Sequence, residues 1–310
     1  MAWHEAPMGA PRAIVIDCDP GVDDAVALLV ALASPEALEV RAVTAVAGNV
    51  ALARTADNAR RLCAFAGRAD VPVFAGCARP ILGEAGDAAH VHGDDGLAGL
   101  SLPEPDTPLA PGHAVDALIA CLTGAEAPLT LVALGPLTNL ALAIVKAPEI
   151  VPRIGEIALM GGAVAGGNVT PTAEFNIHCD PCAAAVVLGS GAPIAMIGLD
   201  VTRQAVASAN RIAAIEALAN PVARAVAAML RGHRGEDGAG PALVHDACVI
   251  AYLLAPGLFT FRPMAVSVRL EGPERARTLA EPDPASPLRI AETVEADDLF
   301  ALLTERLGRY

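Results

Sequence analysis

Apolar and polar positions alternate along the chain in blocks that switch period from two to 3.6 and back. Ala13 to Cys18 is a short apolar run ending in acids and predicts a buried strand; Val22 to Ala33 has helical spacing. Glu39 to Val46 predicts a second strand, Ala51 to Ala66 a second helix, and Val71 to Phe74 a short third strand. Asp116 to Leu122 reads as helix, Leu129 to Ala133 as strand, and Leu137 to Val145 as helix. Ile157 to Met160, Pro181 to Leu188 and Pro193 to Ile197 continue as strand, helix and strand. Beyond Asp200 the pattern is helix-rich, through Ala228 and again over Ala247 to Leu254. Late strands are expected at Val266 to Leu270 and Leu288 to Ala291, and a closing helix over Asp297 to Leu307. Such alternation predicts an α/β fold with a mostly parallel sheet and helices on both faces. No internal repeat or long linker interrupts it, so residues 12–310 are expected to form a single domain, with 1–11 a poorly ordered lead-in.

Composition narrows the partners. Hydrophobic residues make up 54% of the chain, yet aromatics only 3%, so the apolar content is small residues suited to close helix–sheet packing. The most apolar stretch, Thr130 to Val145, is broken by Gly135, Pro136, Thr138 and Asn139, short of a bilayer span. No secretory signal pattern opens the chain. Acids outnumber bases by 35 to 21, the formal net charge is −14, and Lys146 is the lone lysine. Such a field repels nucleic acid and favours a cation or a hydroxyl-bearing small molecule. Seven scattered cysteines suit reduced thiols in the cytoplasm. In the C-x-x-C at Cys179 and Cys182, Asp180 reads as a helix cap and Pro181 as the first helical residue.

In parallel sheets ligands bind outside the carboxyl ends of strands. Asp17, Asp19, Asp23 and Asp24 follow the first predicted strand. Capping a helix could occupy two of these carboxylates, hardly four; a hard cation with oxygen ligands accounts for the rest, and calcium is the natural candidate. The spacing is not that of an EF-hand, since Gly21 and Leu28 stand where oxygen ligands belong. Glu174 and Asn176 follow a glycine-rich loop without G-K-[ST], and can grip vicinal hydroxyls from an extended segment. His245-Asp246 precedes an apolar helix, and His92 sits in a loop rich in Gly and Asp.

These segments resemble the nucleoside hydrolase family, specifically its inosine–uridine-preferring branch. The resemblance runs from about Arg12 to the C-terminus. It rests on DCDPGVDDAVAL (Asp17 to Leu28), AVAGNV (Ala45 to Val50), VHGDDGL (Val91 to Leu97) and ALGPLTNLA (Ala133 to Ala141), and on LMGGA (Leu159 to Ala163), EFNIHCDP (Glu174 to Pro181) and HDA (His245 to Ala247). It implies a Rossmann-like domain that hydrolyses the N-glycosidic bond of ribonucleosides with a calcium-activated water. By the same resemblance Asp19, Asp24, the Leu134 carbonyl and Asp246 hold calcium. Asp19 doubles as general base, and Asp23 sits beside the ribose. Asn49, Met160, Glu174 and Asn176 hold the sugar, His92 and His245 face the base, and His245 is the candidate acid for the leaving group. Asp17 supports the others from behind. A homo-oligomer, tetramer or dimer, working in purine and pyrimidine salvage is expected. The segment Arg231 to Pro241 lacks the tyrosine that relatives often carry there, leaving His233 or Arg234 as base contacts; Trp3 lies outside the matched region. Two rival readings are a haloacid-dehalogenase-type magnesium phosphohydrolase and a non-catalytic ribose- or nucleoside-binding protein. The first wants Thr or Val where Gly21 stands; the second leaves Asp19 and His245 unexplained.

Overall fold

A computed structural model describes residues 10–84, 86–233, 235 and 240–310. The expected lead-in, Trp3 and Arg234 fall outside the described residues, apart from Ala10 and Pro11. Among the described residues nine strands form one sheet: β1 (Arg12–Cys18), β2 (Leu38–Ala45), β3 (Val73–Ala75), β4 (Leu129–Ala133), β5 (Ile154–Met160), β6 (Ile194–Ile197), β7 (Phe259–Val268), β8 (Thr278–Pro282) and β9 (Leu288–Val294). Their order is β3-β2-β1-β4-β5-β6-β9-β7-β8. Pairings from β3 through to β9 are parallel; β7 runs antiparallel to both β9 and β8.

β1 is central, buried over Val15, Ile16 and Cys18, and hydrogen-bonded on both sides. A strand buried on both faces is apolar through its middle, as β1 is over Ala13 to Ile16 and β4 over Leu131 to Ala133. One face packs on helices Val22–Leu32, Pro221–Gly232, His245–Leu254 and Ala296–Leu307; the other on helices Ala114–Gly124, Thr138–Lys146 and Pro181–Leu188. The expected helix at Pro181–Leu188 and strand at Leu129–Ala133 have those bounds. Asp180 caps the former by accepting from the Ala183 amide at 3.0 Å, with Pro181 next.

The structure corrects the C-terminal reading. β7 begins at Phe259 rather than Val266, and β8 was not expected. The burial of β7 alternates for most of its length, and β8 pairs only at the sheet's antiparallel edge. Arg262, Pro263 and Arg269 in and beside these strands masked the alternation.

Candidate active site

Every crossover in the parallel part returns the chain to the same rim, so the residues after β1, β2, β4 and β5 meet there. Asp19 lies just beyond β1 and is 1% exposed. Its Oδ2 accepts from the Asn49 amide at 2.7 Å, whereas its Oδ1 is buried with no hydrogen-bond partner among the described residues. The space around it is made by glycines. A Cβ on Gly48 would stand 2.1 Å from Oδ2, and one on Gly135 2.3 Å from Oδ1.

Asp23 and Asp24 occupy the first turn of helix Val22–Leu32. Asp24 closes that turn: Oδ1 accepts from the Asp19 amide and Oδ2 from the Gly21 amide, both at 3.0 Å. The Asn49 side chain joins Asp24 Oδ2 at 3.0 Å and the Asp19 carbonyl at 3.2 Å. Asp246, in the first turn of helix His245–Leu254, arrives from the far end of the chain. Asp23, Asp24 and Asp246 each offer a carboxylate oxygen, and these lie within 4.8 Å of one another, all buried. Asp23 thus belongs to the cluster as well as to the cavity wall. Burial, then the neighbouring carboxylates, pushes Asp19 and Asp246 far above the carboxylate range and Asp23 up to about 8. Helix N-termini ease such crowding only in part. An orphaned carboxylate oxygen beside three converging acids fits a multivalent cation with oxygen ligands.

Asp17 sits behind this group, where Thr44 Oγ1 and Asn139 Nδ2 donate to its Oδ1 at 2.5 and 2.8 Å. Burial pushes Asp17 up to about 7, against those two hydrogen bonds.

The cavity above the acids is walled by Leu134, Met160, Glu174, Phe175, Asn176 and Asn168 on one side. Asn176 Nδ2 donates to the Leu134 carbonyl at 2.7 Å and the Met160 carbonyl at 3.1 Å. Glu174 caps helix Phe175–Cys179: Oε1 accepts from Asn176 N at 2.8 Å, and Oε2 from Ile177 N at 3.1 Å and Gly162 N at 2.8 Å. It therefore anchors the glycine-rich loop as well as facing the cavity. His92, His233 and His245 form the other side. His92 Nδ1 accepts from the Val22 amide at 3.1 Å and His233 Nδ1 from the Gly235 amide at 2.9 Å, so each ring carries its proton on Nε2. The His92 and His233 rings meet edge-on, 5.2 Å between centroids. Burial pushes His92 and His245 down to about 3 and His233 to about 4. Burial thus leaves the candidate acid His245 neutral, not protonated, at neutral pH.

Three participants escaped the sequence reading. Thr202 Oγ1 lies 2.8 Å from His245 Nδ1, and nothing in a lone Thr after β6 announced it. Asn139 reaches back to Asp17 from inside a motif read only for its carbonyl. Asn168 enters the cavity with a buried Oδ1 that has no partner among the described residues; its place after Gly166 and Gly167 was the available signal.

Fold and site together define an α/β protein with a polar cavity over an acidic, candidate cation site at the carboxyl rim of a parallel sheet. The family model described as inosine-uridine preferring nucleoside hydrolase matches residues 14–301. The pyrimidine-specific ribonucleoside hydrolase RihA of Salmonella typhimurium is 45% identical over 84% of this chain and 85% of its own. The purine-preferring ribonucleoside hydrolase of Gardnerella vaginalis superposes with a TM-score of 0.90 at 32% identity, covering 96% of this chain and 98% of that one. A plant nucleoside hydrolase gives 0.89 at 33%, covering 96% and 99%. The chain belongs to the inosine-uridine preferring nucleoside hydrolase family. It is a ribonucleoside hydrolase, an N-glycosidase; neither rival reading is favoured. Among the described residues no helix is long and apolar enough to cross a membrane.

Proposed function

We propose that this ribonucleoside hydrolase works with one calcium ion held by Asp19, Asp24, Asp246 and the Leu134 carbonyl. The observation that carries this reading is the orphaned Asp19 Oδ1 beside the converging carboxylates of Asp23, Asp24 and Asp246. When bound, the ion supplies Lewis acidity toward water and the sugar diol. Asp19 is the general base: a cation among these carboxylates would offset the burial that otherwise keeps Asp19 protonated, leaving it ionised beside the attacking water. Asp23 lines the cavity and receives a ribose hydroxyl, while Asn49, Met160, Glu174 and Asn176 shape the sugar site. These carboxylates favour the positive charge that develops on the ribosyl ring as the C1′–N bond breaks. Water bonds to C1′ with inversion, and the electron pair leaves with the base.

His92 and His245 face that base. His245 is neutral before reaction, so it acts as a relay: as negative charge builds on the leaving group, one ring nitrogen passes its proton to the base while the ring takes up another from the Thr202 side. Thr202 holds its Nδ1 edge. We further place the enzyme in the cytoplasm as a homo-oligomer of two or four chains serving purine and pyrimidine salvage; its unpaired cysteines suit a reducing compartment. Base choice follows the 45%-identical relative, toward pyrimidines.

The test is chromatography of a nucleoside panel with protein of known metal content and mass by light scattering. Uridine and cytidine should yield free base and ribose, and chelation should abolish turnover. A 2′-deoxynucleoside leaves buried polar groups unpaired and should react about 10⁴-fold more slowly. Equal rates on uridine and 2′-deoxyuridine, or full turnover by metal-free protein, would overturn the mechanism.

A further inference from the structure

A second cavity of about 600 Å³ adjoins the sugar cavity and shares His90, Asn168, Val169 and Phe175 as a common wall. It is lined also by His178 and Arg275, both half buried, and by the exposed Glu84 and Asp87. Arg275 comes from the turn joining β7 to β8, where its amide donates to the Gly272 carbonyl at 3.1 Å. No carboxylate among the described residues pairs with its guanidinium, although acids outnumber bases 35 to 21 in this chain. His178 Nδ1 and Asn168 Oδ1 are buried without hydrogen-bond partners among the described residues. Three polar groups of one neighbourhood are thus left open toward one space, where buried polar atoms ordinarily find partners.

The ribose orientation in the reading above says what this space faces, and the inference rests on that reading. With the 2′,3′-diol over the acids and the base toward His92, His233 and His245, C1′ points at the histidines. C4′ lies across the ring from C1′, so its C5′ substituent points toward Asn168 and Phe175, where the second cavity begins. We propose that this annex receives a 5′-phosphate, so that the enzyme hydrolyses ribonucleoside 5′-monophosphates as well as free ribonucleosides. A guanidinium is the side chain best matched to phosphate oxygens. His178 adds a ring nitrogen, and Asn168 Oδ1 accepts from a protonated phosphate oxygen or from water. Glu84 and Asp87 oppose the anion, but they are solvent-exposed and screened, while Arg275 is half buried. The reaction is unchanged in its balance. Water adds to C1′, the C1′–N bond breaks, the base leaves with a proton, and ribose 5-phosphate is the other product.

The experiment compares uridine with uridine 5′-monophosphate, and inosine with inosine 5′-monophosphate, on the metal-replete full chain. Base and ribose 5-phosphate are read by chromatography, and free phosphate is followed to exclude prior dephosphorylation. The monophosphate of the better nucleoside should react with kcat/KM within about tenfold of the nucleoside. Arg275→Met should lower that value by roughly 10- to 100-fold, as expected for losing a charged hydrogen bond, and leave the free nucleoside within about twofold. Arg275→Lys should retain part of the monophosphate activity, and nucleoside turnover reports whether each variant folds. In the unaltered protein, the monophosphate should also compete with the nucleoside. A monophosphate that neither reacts nor competes overturns the annex, as do equal losses on both substrates in Arg275→Met or no loss on either. Rapid uridine or inosine hydrolysis with an inert monophosphate would leave the ribonucleoside mechanism standing and remove only the annex.

Discussion

At the scale of single residues, the site is a contest between burial and charge. Asp19 keeps one oxygen occupied by the Asn49 amide and one oxygen open. Asp19→Asn preserves shape but removes the proton acceptor, so kcat should fall by about 10²- to 10⁴-fold with every nucleoside. Steady-state kinetics and elemental analysis on the same sample check it; unchanged kcat would remove Asp19 from the base role. His245 is subtler. Burial holds its ring neutral, with a value of about 3, so any proton it gives must be drawn out by the departing base. His245→Ala should cost a natural nucleoside about 100-fold or more, while p-nitrophenyl riboside, whose phenolate leaves unprotonated, keeps most of its rate. Equal losses on the two substrates would assign His245 to packing. Little loss on either would move the role to His92 or His233.

At the scale of elements, capping ties distant motifs together. Asp180 caps helix Pro181–Leu188 with Oδ1, while its Oδ2 accepts from Thr138 Oγ1 at 2.7 Å and from the Ile81 amide at 2.8 Å. The side chain is buried, and its removal orphans three donors. Asp180→Ala should therefore destabilise the fold by about 2 kcal/mol or more, read by denaturant titration, and should leave the pH dependence of kcat unaltered. A neutral effect on stability would show that water replaces the carboxylate. In the C-x-x-C at Cys179 and Cys182, the two residues between the thiols likewise serve the helix start.

For the whole molecule, the buried titratable groups give stability a pH signature. Asp17 rises from its ordinary 3.8 to about 7 and Asp23 to about 8, so between those values the folded state holds more protons than the unfolded. That contribution is present at low pH and lost as pH rises through 7 and 8. The histidines act oppositely: with folded values near 3 to 4, they cost stability as pH falls below their ordinary 6.5. Between about pH 6.5 and 8 the acids act alone. Metal-free protein should lose Tm across that window, and saturating calcium, which binds the ionised acids, should flatten or reverse the slope. Differential scanning calorimetry in matched buffers measures both; a rising metal-free Tm would contradict the burial of these carboxylates.

The sequence by itself determined the alternation of elements, the single α/β domain and the motif residues of the rim, because period and local chemistry are written in neighbouring positions. Asp19, Asp24, Glu174 and Asn176 could be named because each stands in a short run of unusual composition, whereas Leu134 was named only through the family resemblance. Of the β7–β8 hairpin only the end of β7 was legible; its start and β8 were not, since strands at a sheet's antiparallel edge need no continuous apolar run. Only the tertiary structure decided that Asp246 meets Asp23 and Asp24 across more than 200 residues, that Thr202 holds His245, and that Asn139 braces Asp17. It also decided protonation. A histidine's identity fixes its ordinary value, but the surroundings that bury His92, His233 and His245 come from distant segments, and desolvation by those segments makes the rings neutral.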